Sequence, residues 1–168
     1  MFPIILNPAY TKFALIGNGP LADKRMAGLQ DAGVTLTHFK DKPPRKRELK
    51  KFHIVYIVDI DDKTAYKLAD YCRRKNILVN IEDDIPYCDF HTPSIVRRGN
   101  LLFSVSTNGK SPGLGIRIKN YISDKFGPEW GERLEILAQK RHKWRSQGLD
   151  NKTVLKNTLD EIDKNNWL

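Results

Sequence analysis

Gly17-Asn18-Gly19-Pro20-Leu21-Ala22 has the spacing G-x-G-x-x-A. Two glycines one residue apart leave backbone N–H groups uncovered by side chains. Where a helix starts at such a turn, its positive end stabilises the charge of a pyrophosphate. The alternative is a tight strand-to-helix turn without a ligand, which uses glycine for the same steric reason. About 20 residues beyond the glycines, Asp41 lies where an acidic side chain accepts from an adenosine ribose hydroxyl, which favours NAD. Lys40 and Lys42 flank it and suit a 2′-phosphate, so NADP stays open.

Two further stretches carry chemistry. Asn80-Ile81-Glu82-Asp83-Asp84 puts three carboxylates side by side, where mutual repulsion raises a pKa and leaves a carboxylate able to act as a base. Solvated loop acids are the plain alternative. Ser104-Val105-Ser106-Thr107-Asn108-Gly109-Lys110-Ser111-Pro112 is hydroxyl-rich, holds one cation and leads into a helical pattern, so it suits carboxylate or phosphate groups. An ordinary capped helix start has the same composition.

The elements that must position these residues are readable from hydrophobic period. Lys12–Ile16 is a short apolar strand before the glycines, Ala22–Ala32 a helix stopped by Gly33, and Val34–Phe39 an alternating β-branched strand. Lys40–Lys51, rich in Lys, Arg and Pro, reads as a loop and a short solvated helix. His53–Val58 is a nearly continuous apolar run, the pattern of a strand buried on both faces. Asp61 and Asp62 cap a helix over Lys63–Lys75, and Ile77–Ile81 makes a fourth strand. Strands separated by helices imply a parallel α/β sheet, with the three carboxylates at the carboxyl end of its fourth strand, where such sheets bind ligands. Ser94–Arg98 and Leu101–Ser106 then read as two strands around Arg98-Gly99-Asn100, followed by amphipathic helices from Ser111 to about Phe126, Glu129–Gln147 and Thr153–Asp163.

Composition narrows the classes. The 168 residues, 40% hydrophobic, suffice for one substantial core and an appendage. No apolar run is long enough to span a bilayer and the start has no signal-peptide pattern, so a cytoplasmic address is expected and no membrane partner. Cys72 and Cys88 form no C-x-x-C pair, so neither a disulfide framework nor a metal site is expected. The net charge of +9 calls for an acidic partner or simply a basic surface. Nucleic acid is the weakest of the acidic candidates, since no helix-turn-helix signature or aromatic platform accompanies the charge.

Taken together, these stretches resemble the precorrin-2 dehydrogenase family, which also supplies the N-terminal part of sirohaem synthase and of bifunctional dehydrogenase–ferrochelatases. The resemblance runs through Phe2-Pro3-Ile4, the Gly17–Arg25 turn (family G-G-G-x-V-A-x-R-K), Asn80–Pro93 with Ser94–Gly99, and most specifically Ser106–Pro112, like the family's S-[ST]-x-G-x-S-P. It implies oxidation of precorrin-2 to sirohydrochlorin with NAD, followed in some members by insertion of ferrous iron, and homodimers formed through the segment after the first domain. The family's catalytic aspartate, in N-x-x-D, falls on Asp83. Gly17, Asn18, Gly19, Pro20 and Leu21, with Asp41 and Lys42, fall on the cofactor-contacting positions. Thr107 and Asn108 fall on the cleft-lining loop, and Arg97, Arg98 and Lys110 are the nearest cations for a substrate with eight carboxylates. Three positions differ: Asn18 replaces a glycine, Pro20-Leu21 replaces x-Val, and Val58-Asp59-Ile60 replaces a small A-[AT]-T. These differences keep a second reading open, a non-catalytic binder of tetrapyrrole or NAD on a degenerate domain.

The expected architecture is α/β: a Rossmann-type parallel sheet, residues 1–92, binding NAD. A strand-containing dimerisation segment with the substrate loop follows, residues 93–112, and then a helical C-terminal region, residues 113–168.

Overall fold

Phe13-Ala14-Leu15-Ile16 and Ile54-Val55-Tyr56-Ile57 are apolar at every position, and such runs are stable as strands only where both sheet faces are covered. They become the two central strands of a computed structural model that describes residues 2–168. The chain divides into two units, Met1–Thr92 and Pro93–Leu168.

The first unit runs β1 (Phe13–Ile16), α1 (Pro20–Asp31), β2 (Leu36–Phe39), α2 (Lys46–Leu49), β3 (Ile54–Ile57), α3 (Asp62–Arg74) and β4 (Leu78–Ile81). All pairs are parallel, in the order β2-β1-β3-β4, with Phe13 opposite Leu36 on one side and Ile54 on the other. The strand order therefore reverses between β1 and β3, and ligands of open α/β sheets bind at such a switch point. Because side chains alternate along a strand, the sheet feeds two cores. Ala14, Ile16, Val55, Ile57, Val79 and Ile81 pack with Leu49, Phe52, Leu68 and Cys72 on one face. Phe13, Leu15, Ile54, Tyr56 and Val58 pack with Ala22, Leu29 and Val34 on the other. Burying each Leu, Ile or Val is worth roughly 1.5–3 kcal/mol, so this double layer holds the strand ends in place.

The basic stretch after β2 holds the expected short solvated helix, with Lys46, Arg47 and Glu48 exposed, but anchors it at one end. Leu49 is fully buried and Phe52 nearly so, with the Phe52 ring edge-on to Phe39 at 6.1 Å. The lysines and arginines hide this because the two apolar anchors are only three residues apart. Likewise, α3 starts as expected: Asp61 accepts from the Thr64 N–H at 3.0 Å, and its carboxyl is held below its usual range by hydrogen bonds from Thr64.

The second unit opens with an antiparallel hairpin, β5 (Ser94–Arg98) and β6 (Leu101–Val105), in which Arg98 pairs with Leu101. Three helices follow, α4 (Pro112–Lys125), α5 (Glu129–Ser146) and α6 (Asn151–Lys164). Ser111 and Asp150 cap α4 and α6, and Phe103, Phe126 and Trp130 form an aromatic cluster with centroids 4.6 and 5.0 Å apart. The expected amphipathic face of α5 is weak: Trp130 is buried, Leu134 and Leu137 are half-buried, and Ile136 is exposed.

Candidate functional site

The glycine turn sits at the switch point of the sheet. Gly17 follows β1 with φ 123° and is packed so tightly that a methyl group there would lie 1.7 Å from the Val58 carbonyl oxygen. The fold alone thus requires glycine at this position. His38 donates from Nε2 to the Gly17 carbonyl at 2.8 Å, and the Gly17 N–H reaches Phe39 O at 3.1 Å, tying the turn to β2. Gly19, with φ 100°, is the residue before α1, and its N–H is taken by Asn18 Oδ1 at 2.8 Å. Beside this turn is a cleft of about 320 Å³ lined by Gly17, Asn18, Phe39, Lys40, Asp41, Pro43, Asp59 and Ile60. Three of the expected cofactor contacts, Gly17, Asn18 and Asp41, therefore meet in one place. Gly19, Pro20, Leu21 and Lys42 do not line it.

A second cleft, about 330 Å³, shares Asp59 and Ile60 with the first and is lined further by Asp62, Glu82, Asp83 and Asp84. The three consecutive carboxylates have different environments. Glu82 is held by Arg25 through Nε at 3.1 Å and Nη2 at 2.8 Å, a fork geometry suited to a carboxylate. The Asp84 carboxylate beside the Tyr66 phenol pushes the phenol's pKa up to about 12. Asp83 is exposed and, among the described residues, enters no ion pair. It occupies the third position of a turn closed by Asp84 N–H to Ile81 O at 3.2 Å, with a left-handed φ of 61°. Aspartate is among the few non-glycine residues that tolerate this region.

The segment behind that turn is pinned. Buried Asn80 donates to Phe90 O at 2.9 Å and to Cys88 Sγ at 3.2 Å, and Asp89 accepts from the Val79 N–H at 3.0 Å. Burial pushes the Cys88 thiol above its usual range, keeping it a donor toward Ile81 O. Asn80 therefore acts on backbone, fixing the turn that presents Asp83.

In the second unit, the Thr107 hydroxyl donates to Ser111 O at 3.1 Å and accepts from Ser111 N at 3.2 Å, closing the loop that starts α4. Asn108, φ 57°, and Lys110 are exposed at its tip, as is Arg97 on β5. Arg98 departs from its expected place as an anion ligand. Its guanidinium donates to Phe126 O at 2.7 Å, Ser123 O at 3.1 Å and Ser123 Oγ at 2.9 Å, so it satisfies the carboxyl end of α4.

A family model described as "Putative NAD(P)-binding" matches residues 4–94. The chain belongs to this family. The match covers the parallel sheet, the glycine turn and the three-carboxylate turn. Among curated relatives, the siroheme synthase of Acinetobacter baylyi is 30% identical over 167 residues, spanning 88% of this chain and 36% of that protein. The siroheme biosynthesis protein met8 of Schizosaccharomyces pombe is 42% identical over 87 residues, 51% of this chain and 33% of that protein. The chain thus spans about a third of the length of these relatives. Among solved structures, one titled SirC, precorrin-2 dehydrogenase, superposes with a TM-score of 0.66 at 18% identity, covering 98% of this chain and 100% of that one, which establishes a shared fold.

Sequence reading missed one pairing and one position. Arg25 ends the glycine-turn motif but its pairing with Glu82, 57 residues away, has no local signature. Asp59 is legible in the sequence as an acid near the cofactor phosphates or ribose that would alter binding; its place on the wall shared by both clefts is not. Among the described residues no helix is long and apolar enough to cross a membrane, and no group of three His, Cys, Asp or Glu is placed to hold a metal ion.

Proposed function

We propose that this chain is an NAD-dependent precorrin-2 dehydrogenase of sirohaem biosynthesis, with Asp83 as the proton acceptor. The observation that carries this reading is the adjacency of the two clefts: the glycine turn and Asp41 border one, Asp83 the other, and Asp59-Ile60 form the wall between them. The names of the siroheme relatives support the substrate class. NAD⁺, when bound, supplies the hydride acceptor. Gly17, Asn18 and Asp41 border the groove for its adenosine and phosphates. Asp83, exposed and free of the partners that occupy Glu82 and Asp84, takes the proton as the macrocycle loses its hydride. Within the second unit, Arg97, Thr107, Asn108 and Lys110 are proposed as ligands for carboxylate groups.

The test is turnover. Purified protein with precorrin-2 and NAD⁺ is expected to yield the sirohydrochlorin spectrum, and Asp83→Asn, which keeps the left-handed backbone, is expected to lose about 10²–10⁴-fold in rate. Asp62→Asn, in the same cleft, is expected to lose far less; equal losses would remove Asp83 from the proton transfer. Ferrous iron added to the same reaction tests whether the product is then metallated. On this reading the chain works as a cytoplasmic homodimer through its second unit, whose Ile95, Leu114, Ile116 and Tyr121 are exposed.

A further inference from the structure

Asp59 is a charged residue of the shared cleft wall to which the proposed proton and hydride transfer gives no role. It follows β3 directly beyond Val58 and adopts a left-handed φ of 50°, which turns the chain at the switch point instead of continuing the strand. Its carboxylate faces the glycine turn: a methyl group placed on Gly19 would lie 3.1 Å from Asp59 Oδ2. Gly17 is locked against the Val58 carbonyl, so the turn and the Asp59 segment approach each other as a fixed pair. Asp59 is exposed, lines both clefts, and has no ion-pair partner among the described residues. The N–H of Gly19, the residue before α1, is already taken by Asn18 Oδ1.

We propose that Asp59 weakens dinucleotide binding at the glycine turn by placing a fixed negative charge beside the pyrophosphate position, so that it sets the affinity of the site. This rests on the reading of that turn as the dinucleotide site. Two like charges about 4 Å apart at a protein surface repel strongly enough to change affinity by tenfold or more. The repulsion acts on the phosphates and not on the adenosine. Exposure to solvent makes it sensitive to salt, because screening sets in over a Debye length of about 10 Å at 0.1 M.

The experiment is calorimetric titration of the full chain with NAD⁺ and, separately, with adenosine. It compares wild type with Asp59→Asn, which keeps the left-handed backbone, and Asp59→Gly, which relaxes it. Both variants are expected to bind NAD⁺ at least about tenfold more tightly than wild type at low salt, with the gap narrowing in 0.5 M salt, and to bind adenosine unchanged. Variants that bind NAD⁺ as the wild type does, or more weakly, overturn the proposal while leaving the site in place. Weakened adenosine binding overturns it too, by making Asp59 a ribose ligand. Absence of NAD⁺ binding by wild type and both variants, all with intact thermal unfolding, removes the dinucleotide reading itself and the proposal with it.

Discussion

The two units place their apolar residues very differently. The first has two cores, one on each face of its sheet, and its β1 and β3 are buried at every position. In the second, the buried residues are few, Val96, Gly115, Trp130 and Val154 among them, while Leu114, Ile116, Tyr121, Leu155 and Leu159 are each more than half exposed. A parallel sheet covered on both faces leaves little apolar surface open. A hairpin with three helices leaves apolar faces open, as an interaction surface does. Both units hold left-handed non-glycine residues, Asp59 and Asp83 in the first and Asn108 and Asn166 in the second, but only in the first do they follow strands whose two faces are both packed.

Substituting glycines tests this contrast most severely. Gly17→Ala sets a methyl group against the Val58 carbonyl at a φ only glycine favours, and is expected to cost roughly 3 kcal/mol or more in denaturant unfolding. Gly113→Ala in α4 meets nothing within 4 Å and is expected to be neutral or to add up to about 1 kcal/mol. Comparable losses at both positions would mean that the second unit is packed as tightly as the first.

An intermediate effect is expected from association. If the open faces of the second unit pair with a second copy, sedimentation at tens of micromolar gives a dimer. Ile116→Lys, at a side chain 55% exposed, shifts it to monomer with little loss of monomer stability. A wild-type monomer at that concentration would sharpen the contrast into one of composition alone.

The smallest effect concerns the caps, where the units are alike. Asp61 and Asp150 both have carboxyls held below the usual range by hydrogen bonds from Thr64 and Thr153. A depressed folded pKa stabilises above the unfolded value, and that contribution is lost as the pH falls through the folded one. Asp61→Ala and Asp150→Ala are therefore expected to lower Tm at pH 7 and to approach wild type below the ordinary carboxylate value of 3.8. A Tm difference unchanged by acid would point to backbone, not carboxylate, control of the caps.

Much of the scaffold was legible without coordinates, because it rests on local rules. The run Ile54–Ile57 could only be a doubly covered strand, Gly17 and Gly19 marked a turn, and Asp61 and Ser111 announced helix starts through side chains that reach their own backbone. The short α2 is solvated as expected at Lys46, Arg47 and Glu48; the burial of Leu49 and of Phe52 beyond it is masked in the sequence by the cations around them.

What the amino-acid order settled on its own was thus the strands, the helix caps and the glycine turn, including the place of Asp83 at the end of β4, though not the face that α5 buries. What only tertiary structure decided was which charges meet. Arg98 looked like an anion ligand until its guanidinium was seen on carbonyls 25 and 28 residues ahead, and Glu82 was one acid of three until Arg25 arrived from 57 residues behind. With 29 cations and 20 anions in the chain, sequence offers each charge many partners. The choice follows from where the sheet and helices bring the backbone, since a charge-assisted hydrogen bond forms only within about 3 Å and in good alignment.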